Sequence, residues 1–104
     1  MYNYVNLIGV VKSVQEQFIV NSKTVHVVLS IARPFRSPEG EDETDDIDVV
    51  FYGYLGDVAE EDVKVGKTIC VKGKLAQSNY PSLCQVIGER IVYISGGAIH
   101  EIDV

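Results

Sequence analysis

Residues 24–33 carry the pattern that most restricts how this chain can fold. Val25, Val27, Leu29 and Ile31 alternate there with His26, Val28, Ser30 and Ala32. Successive side chains of a β-strand point to opposite faces, so this order gives one apolar face and one mixed face. The segment therefore predicts a strand with one side in a core and the other side partly open to solvent.

Four further segments have the apolar, β-branched composition of strands. They cover residues 4–13, 47–54, 68–75 and 84–94, and the second strand is expected to begin near Phe18, turn at Asn21-Ser22 and resume over residues 24–33. Gly9 indicates a bend in the first strand, because a glycine inside a strand usually marks a bulge or a barrel corner. Pro34 and Pro38 interrupt the pattern after the second strand.

Only one segment, residues 55–63, has the periodicity of a helix. Leu55, Val58 and Ala59 recur at three-to-four spacing, and Gly66-Lys67 ends the helical segment and precedes the fourth strand. Five strands with one short helix between the third and the fourth is the order of the oligonucleotide-binding (OB) fold. We therefore predict an all-β protein, a five-stranded Greek-key OB barrel.

The size of the chain predicts one domain over residues 1–104, and an apolar fraction of 46% is enough for a core. We expect a hairpin arm rich in acids at about residues 36–47, called the acidic arm below, and a short C-terminal extension at about residues 96–104. The net charge of −6 argues at first against a nucleic-acid partner. However, seven of the 15 acids lie between Glu39 and Asp48, which leaves 8 acids against 9 basic residues elsewhere. The acidity is local and compatible with a groove that follows phosphates.

The sequence offers little to catalysis. His26 and His100 stand alone, and Cys70 and Cys84 lack the spacing of metal ligands. No nucleophile elbow or phosphate-binding glycine loop is present. We expect a protein that is not an enzyme and has no cofactor and no metal site. The absence of long apolar runs and of a signal-peptide pattern leads us to expect a cytoplasmic protein without a membrane partner.

The motifs resemble, in order, those of bacterial single-stranded-DNA-binding proteins. The resemblance lies in Asn3 to Gly9, in Ile31-Ala32-Arg33-Pro34-Phe35-Arg36, in Val49-Val50-Phe51-Tyr52-Gly53, and in Val65-Gly66-Lys67 through Val71-Lys72-Gly73-Lys74-Leu75. It covers nearly the whole chain. It implies sequence-independent binding of single-stranded DNA in replication, recombination and repair. It also implies a nucleoid-associated homotetramer, or at least a homodimer, with replication or recombination proteins as further partners.

The same resemblance implies a set of contact residues. Proteins of this family stack bases on aromatic side chains, and the matching positions here are Phe35, Tyr52 and Tyr80. Because only one face of the third strand can fill the barrel, we assign Phe51 to the core and Tyr52 to the outer surface. The cations nearest to these rings are Arg33, Arg36, Lys72 and Lys74. Arginine can both pair with phosphate and stack on bases.

Plainer interpretations remain open. Arg33 and Arg36 could simply pair with the acidic arm, and a lysine on a strand face is usually only solvated. Asp46 stands where the family carries an aromatic residue. The alternative functions are an accessory protein similar to primosomal replication protein N, or an OB module that binds proteins and binds DNA weakly. The acidic arm itself is a solvated hairpin, a feature that weakens DNA binding, or a docking site for a basic partner.

Overall fold

The computed structural model describes residues 1–19, 22–77, 84–95 and 98–103. Its elements in chain order are β1 (Val5–Ile19), β2 (Ser22–Ala32), β3 (Thr44–Tyr52), α1 (Gly53–Asp62), β4 (Thr68–Gln77), β5 (Cys84–Ser95) and β6 (Ala98–Asp103). Within these ranges, no helix has the length and apolar character needed to cross a membrane.

Strands β1 to β5 close into a barrel. Residues 5–10 of β1 pair with β4, and residues 10–19 of β1 pair with β2. Strand β2 pairs with β3 and β4 pairs with β5, all antiparallel. A short parallel contact between β3 and β5 closes the ring, with Val49 opposite Val86 and Val50 opposite Ile87. This order, with α1 between β3 and β4, is the OB fold, and it confirms the predicted fold class.

The first hairpin differs from the prediction. The sequence placed the end of the first strand near residue 13 and the start of the second near Phe18. The structure instead has one continuous β1 to Ile19, with Phe18 opposite Lys23. Cross-strand pairing, such as that of Gln15 with His26, bonds the polar stretch that looked like a break. The predicted turn residue Asn21 lies outside the described residues, and Ser22 begins β2.

Gly9, where the sequence indicated a bend, lies in regular pairing with Ile69 of β4 and in close approach to β2. A Cβ at this position would lie 2.7 Å from the carbonyl oxygen of Ser30. Gly9 is therefore required where β1 passes from its pairing with β4 to its pairing with β2. A register shift, which bends a strand, follows between Val11 and Ser13.

The other boundaries moved by a few residues, and one element was missed. Strand β3 begins earlier than predicted, at Thr44, and ends at Tyr52, because the helix already begins at Gly53. The predicted C-terminal extension contains strand β6, which pairs antiparallel with β5. Gly96-Gly97 between two apolar runs is a hairpin signal that could have indicated this strand.

The core lies between the inward faces of the strands and α1. Its buried members are Val11, Val25, Val27, Leu29, Val49, Phe51, Leu55, Ala59, Val63, Ile69, Val71, Val86 and Ile91. Phe51 is completely buried, as predicted. Its ring lies against Gly88, where a Cβ would fall 2.1 Å from Cε1 of Phe51. Gly88 therefore makes room for the largest side chain of the core beside the contact of β3 with β5.

Candidate nucleic-acid interface

The outward face of β2 and β3 is the surface on which OB folds usually bind oligonucleotides. On β2 it carries His26, Val28 and Ser30, which lie opposite Val50, Asp48 and Asp46 of β3. Tyr52 ends this face on β3, opposite Thr24. The face is thus mixed in polarity and includes two carboxylates, in contrast to the apolar inner face of the same strands.

Tyr52 lies on the outer surface, as predicted. Its side chain is 48% exposed, whereas that of Phe51 is fully buried. Tyr52 has an extended backbone (φ −111°, ψ 150°), and Gly53 follows with a positive φ of 59°. Glycine adopts this left-handed conformation without strain, so the chain can turn from β3 directly into α1. The ring is therefore carried by a regular strand at the edge of the helix and is open to a stacking partner.

Phe35 lies at the other end of β3. It is 66% exposed and stands in the connection between β2 and β3. Backbone hydrogen bonds order this connection: Arg33 N–H donates to the Glu43 carbonyl oxygen at 2.9 Å, and Gly40 N–H donates to that of Ser37 at 2.8 Å. Strand β3 has nine residues, and a strand rises about 3.3 Å per residue, so β3 itself spans roughly 26 Å from Thr44 to Tyr52. Phe35 belongs to the connection that enters this strand, and Tyr52 is the last residue of the strand.

Arg33 is engaged by the acidic arm. Its Nη2 lies 2.8 Å from Oδ1 of Asp45, its Nε lies 3.1 Å from the same oxygen, and its Nη1 pairs with Glu43. The Arg33 guanidinium holds the pKa of the Asp45 carboxyl below its ordinary value, mainly through these hydrogen bonds. Arg36 makes a looser pair, with Nε 3.2 Å from Oδ1 of Asp42. The structure thus shows the ion pairs that the plainer interpretation of both arginines assumed.

The two lysines of β4 point outward, because Ile69, Val71 and Gly73 of this strand are buried. Lys74 lies opposite Ile87, which in turn pairs with Val50 of β3. Lys74 therefore borders the outer surface of β3 across one strand, and its Nζ lies 3.7 Å from Oε2 of Glu89.

The remaining two predicted contact residues are farther from this surface or undescribed. Lys72 lies opposite Arg90, farther along the barrel from β3. The predicted contact Tyr80 lies outside the described residues. A role in DNA contact stays a prediction for all seven candidates.

Two further side chains on this surface, those of Lys12 and His26, were not among the predicted contact residues. Lys12 Nζ lies 2.5 Å from Oδ2 of Asp46, and His26 Nδ1 lies 3.5 Å from Oδ2 of Asp48. The register shift after Val11 brings Lys12 to this surface, and no local pattern reveals such a shift. His26 could have been found, since it occupies the mixed face of the alternating strand.

An OB barrel with an exposed ring at each end of β3 and cations between and beside them has the parts with which OB-fold proteins bind single strands. Residues 2–83 match the model of the Single-strand binding protein family. This match covers well over half of the chain, so the protein belongs to that family, which consists of DNA-binding proteins and not of enzymes. No curated protein matches the chain.

The pair between Arg33 and Asp45 predicts a pH effect. A carboxyl whose pKa is lowered in the folded state stabilises the fold at pH values above its pKa in the unfolded state, about 3.9. This contribution is lost as the pH falls through the pKa of the folded state. We expect NMR titration of the Asp45 carboxyl to give a pKa below the ordinary range, and Arg33→Gln to raise it. Arg36→Gln serves as the control and should leave it unchanged. An Asp45 pKa unaffected by Arg33→Gln would contradict the pair.

Proposed function

We propose that this protein binds single-stranded DNA without sequence specificity, in DNA replication, recombination and repair. Its family supports single-strand binding as such. The observation that carries the proposal further is Tyr52, an aromatic side chain left about half exposed on the outer face of β3 while its neighbour Phe51 fills the core. An exposed ring on a rigid strand suits base stacking, which tolerates any sequence because every base has a π-face.

In the proposed complex, the strand runs along β3 between the two rings. One base stacks on Tyr52 and another, several nucleotides away, stacks on Phe35, and each stack contributes about 1–3 kcal/mol. Arg33 and Arg36 bind phosphates near Phe35, and Lys74 binds them beside Tyr52. Lys72 and Tyr80 extend the path beyond these contacts. Most of these interactions are made with the phosphates of the DNA backbone and with the faces of the bases, so no base is preferred.

We further propose that the protein works as a homo-oligomer, a tetramer or at least a dimer, on nucleoid DNA in the cytoplasm, together with replication or recombination proteins. Support for self-association comes from an apolar patch on the outer surface of β1 and β5. Ile8, Val10 and Ile94 there are 59%, 44% and 41% exposed. An exposed apolar patch commonly marks a protein interface. We expect sedimentation equilibrium to show an oligomer that Val10→Glu weakens, and a monomeric native protein would contradict this.

The first test is fluorescence anisotropy with a labelled poly-thymidine strand, compared with a duplex of the same length. We expect binding to the single strand that weakens with added salt, because neutralised phosphates release counterions with a slope of about −0.7 per contact. Equal binding to the duplex, or no binding to the single strand at low salt, would contradict the proposal.

The stacking contacts are tested by substitution. Tyr52→Ala combined with Phe35→Ala should weaken single-strand binding by about fivefold or more for each ring, since a stack is worth about 1–3 kcal/mol. Tyr52→Phe is the matched control and should bind like the native protein, because it keeps the ring and loses only the hydroxyl. The urea midpoint should change little in both variants, since Tyr52 and Phe35 are 48% and 66% exposed. Unchanged affinity in the double alanine variant would rule out the stacking model.

One observation favours a second function, that of an accessory or protein-binding OB module with weak DNA binding. Arg33, Arg36 and Lys74 are all ion-paired with carboxylates of the same chain. Such a module, similar in role to primosomal replication protein N, would bind the single strand weakly at low salt. The anisotropy series therefore separates the two functions, because tight and salt-dependent binding is expected only of a DNA-coating protein.

A further inference from the structure

The cations at the Phe35 end of the β2–β3 surface all form ion pairs with carboxylates of the acidic arm. Arg33 pairs with Glu43 and Asp45, and Arg36 pairs with Asp42. Lys12 pairs with the next acid of the same segment, Asp46. All four carboxylates belong to the acidic arm, whereas Glu39 and Glu41 of the same arm form no ion pair in the described part of the chain. The pairing thus involves particular positions of the arm and is not a property of its total charge.

The geometry of the Arg33 pair is the one that a phosphate would adopt. Two nitrogens of the guanidinium group, Nε and Nη2, both reach Asp45, and the third, Nη1, reaches Glu43. A guanidinium group binds carboxylate and phosphate through the same planar fork of N–H donors. Because both ligands use these donors, they compete for Arg33 directly.

These pairs are weak enough to exchange. The side chains of Arg33 and Asp45 are 39% and 48% exposed, and those of Arg36 and Asp42 are 71% and 84% exposed. Exposed ion pairs contribute little to stability, because water and salt screen them and both side chains lose entropy. A strand that offers several phosphates at once can therefore displace the carboxylates one by one.

We propose that the acidic arm is an internal competitor for DNA phosphate: in the free protein its carboxylates occupy Arg33, Arg36 and Lys12, and the single strand must displace them to bind. This inference rests on the proposed function and specifies how that same surface is regulated. Short or sparsely charged ligands do not displace the arm, whereas a long single strand held by its stacked bases does. Each displaced carboxylate also regains a counterion, so the salt dependence is shallower than the number of cations alone would give.

The test compares two double variants that remove the same charge. The arm variant, Glu43→Gln with Asp45→Asn, releases Arg33. The helix variant, Glu61→Gln with Asp62→Asn, removes two acids of α1 that have no ion pair among the described residues. In anisotropy titrations with poly-thymidine, we expect the arm variant to bind about three- to tenfold more tightly at low salt, the range set by releasing two exposed pairs. Its salt slope should steepen by about 0.7 for one regained phosphate contact, and the helix variant should match the native protein.

A third variant tests the route through the arginine. Adding Arg33→Gln to the arm variant should remove the gain in affinity, because the released group is then absent. A persistent gain would show that the arm acts by general repulsion and would overturn the proposal. The same holds if the helix variant tightens binding as much as the arm variant, or if the arm variant binds no better than the native protein. Asp42→Asn, which releases Arg36 outside any strand, repeats the test should the arm variant not fold.

Retention on heparin separates this proposal from the proposed function. Heparin is a polyanion without bases, so it reports on free cations and not on stacking. If no form binds the single strand but the arm variant elutes from heparin at higher salt than the helix variant, DNA binding and the competition for DNA phosphate are both overturned, and only the occupation of the cations by the arm is supported. If the native protein binds the single strand and neither heparin retention nor affinity changes in the arm variant, internal competition alone is overturned.

Discussion

The contact that organises this molecule is the short parallel pairing of β3 with β5. Within the described residues it consists of two pairs, Val49 with Val86 and Val50 with Ile87, yet it closes the sheet into a barrel. The closure depends on Gly88, which leaves space for the ring of Phe51 beside the seam. With Phe51 fixed inside, the alternation of the strand requires Tyr52 to point outward. The position of the candidate stacking ring is therefore a consequence of how the core is packed.

Local alternation explains why much of the fold could be predicted. Val25, Val27 and Leu29 are buried because a strand repeats every two residues, and this rule needs no knowledge of the partner strand. The helix could be recognised in the same way from Leu55 and Ala59, which pack into the core at a spacing of four residues. The inward assignment of Phe51 and the outward assignment of Tyr52 follow from the same local periodicity.

Features that depend on pairing between strands were out of reach. The ion pair of Arg33 with Asp45 joins the β2–β3 connection to β3 across twelve positions, and that of Lys12 with Asp46 spans 34 positions. Both require the register of the sheet, and Lys12 also depends on the shift after Val11. The polar end of β1 was misread for a related reason, since the hydrogen bonds to β2 that hold it are invisible in composition. The sequence could name the acidic arm as a possible partner of Arg33 and Arg36, but it could not assign the individual pairs, and it did not indicate the pair of Lys12 with Asp46.

Base stacking and phosphate contacts therefore contribute differently to the affinity of this surface for a single strand. The rings of Tyr52 and Phe35 are exposed, and base stacking, unlike phosphate binding, does not depend on displacing a carboxylate. The cations near Phe35 all hold carboxylates of the acidic arm, so each phosphate contact is an exchange and brings less than a contact to a free cation. A protein with a net charge of −6 can then still hold a single strand, provided that the rings supply most of the affinity. The acids of the arm would chiefly oppose the binding of duplex DNA. A duplex offers phosphates but keeps its bases stacked on one another, so it cannot compensate by stacking on the rings.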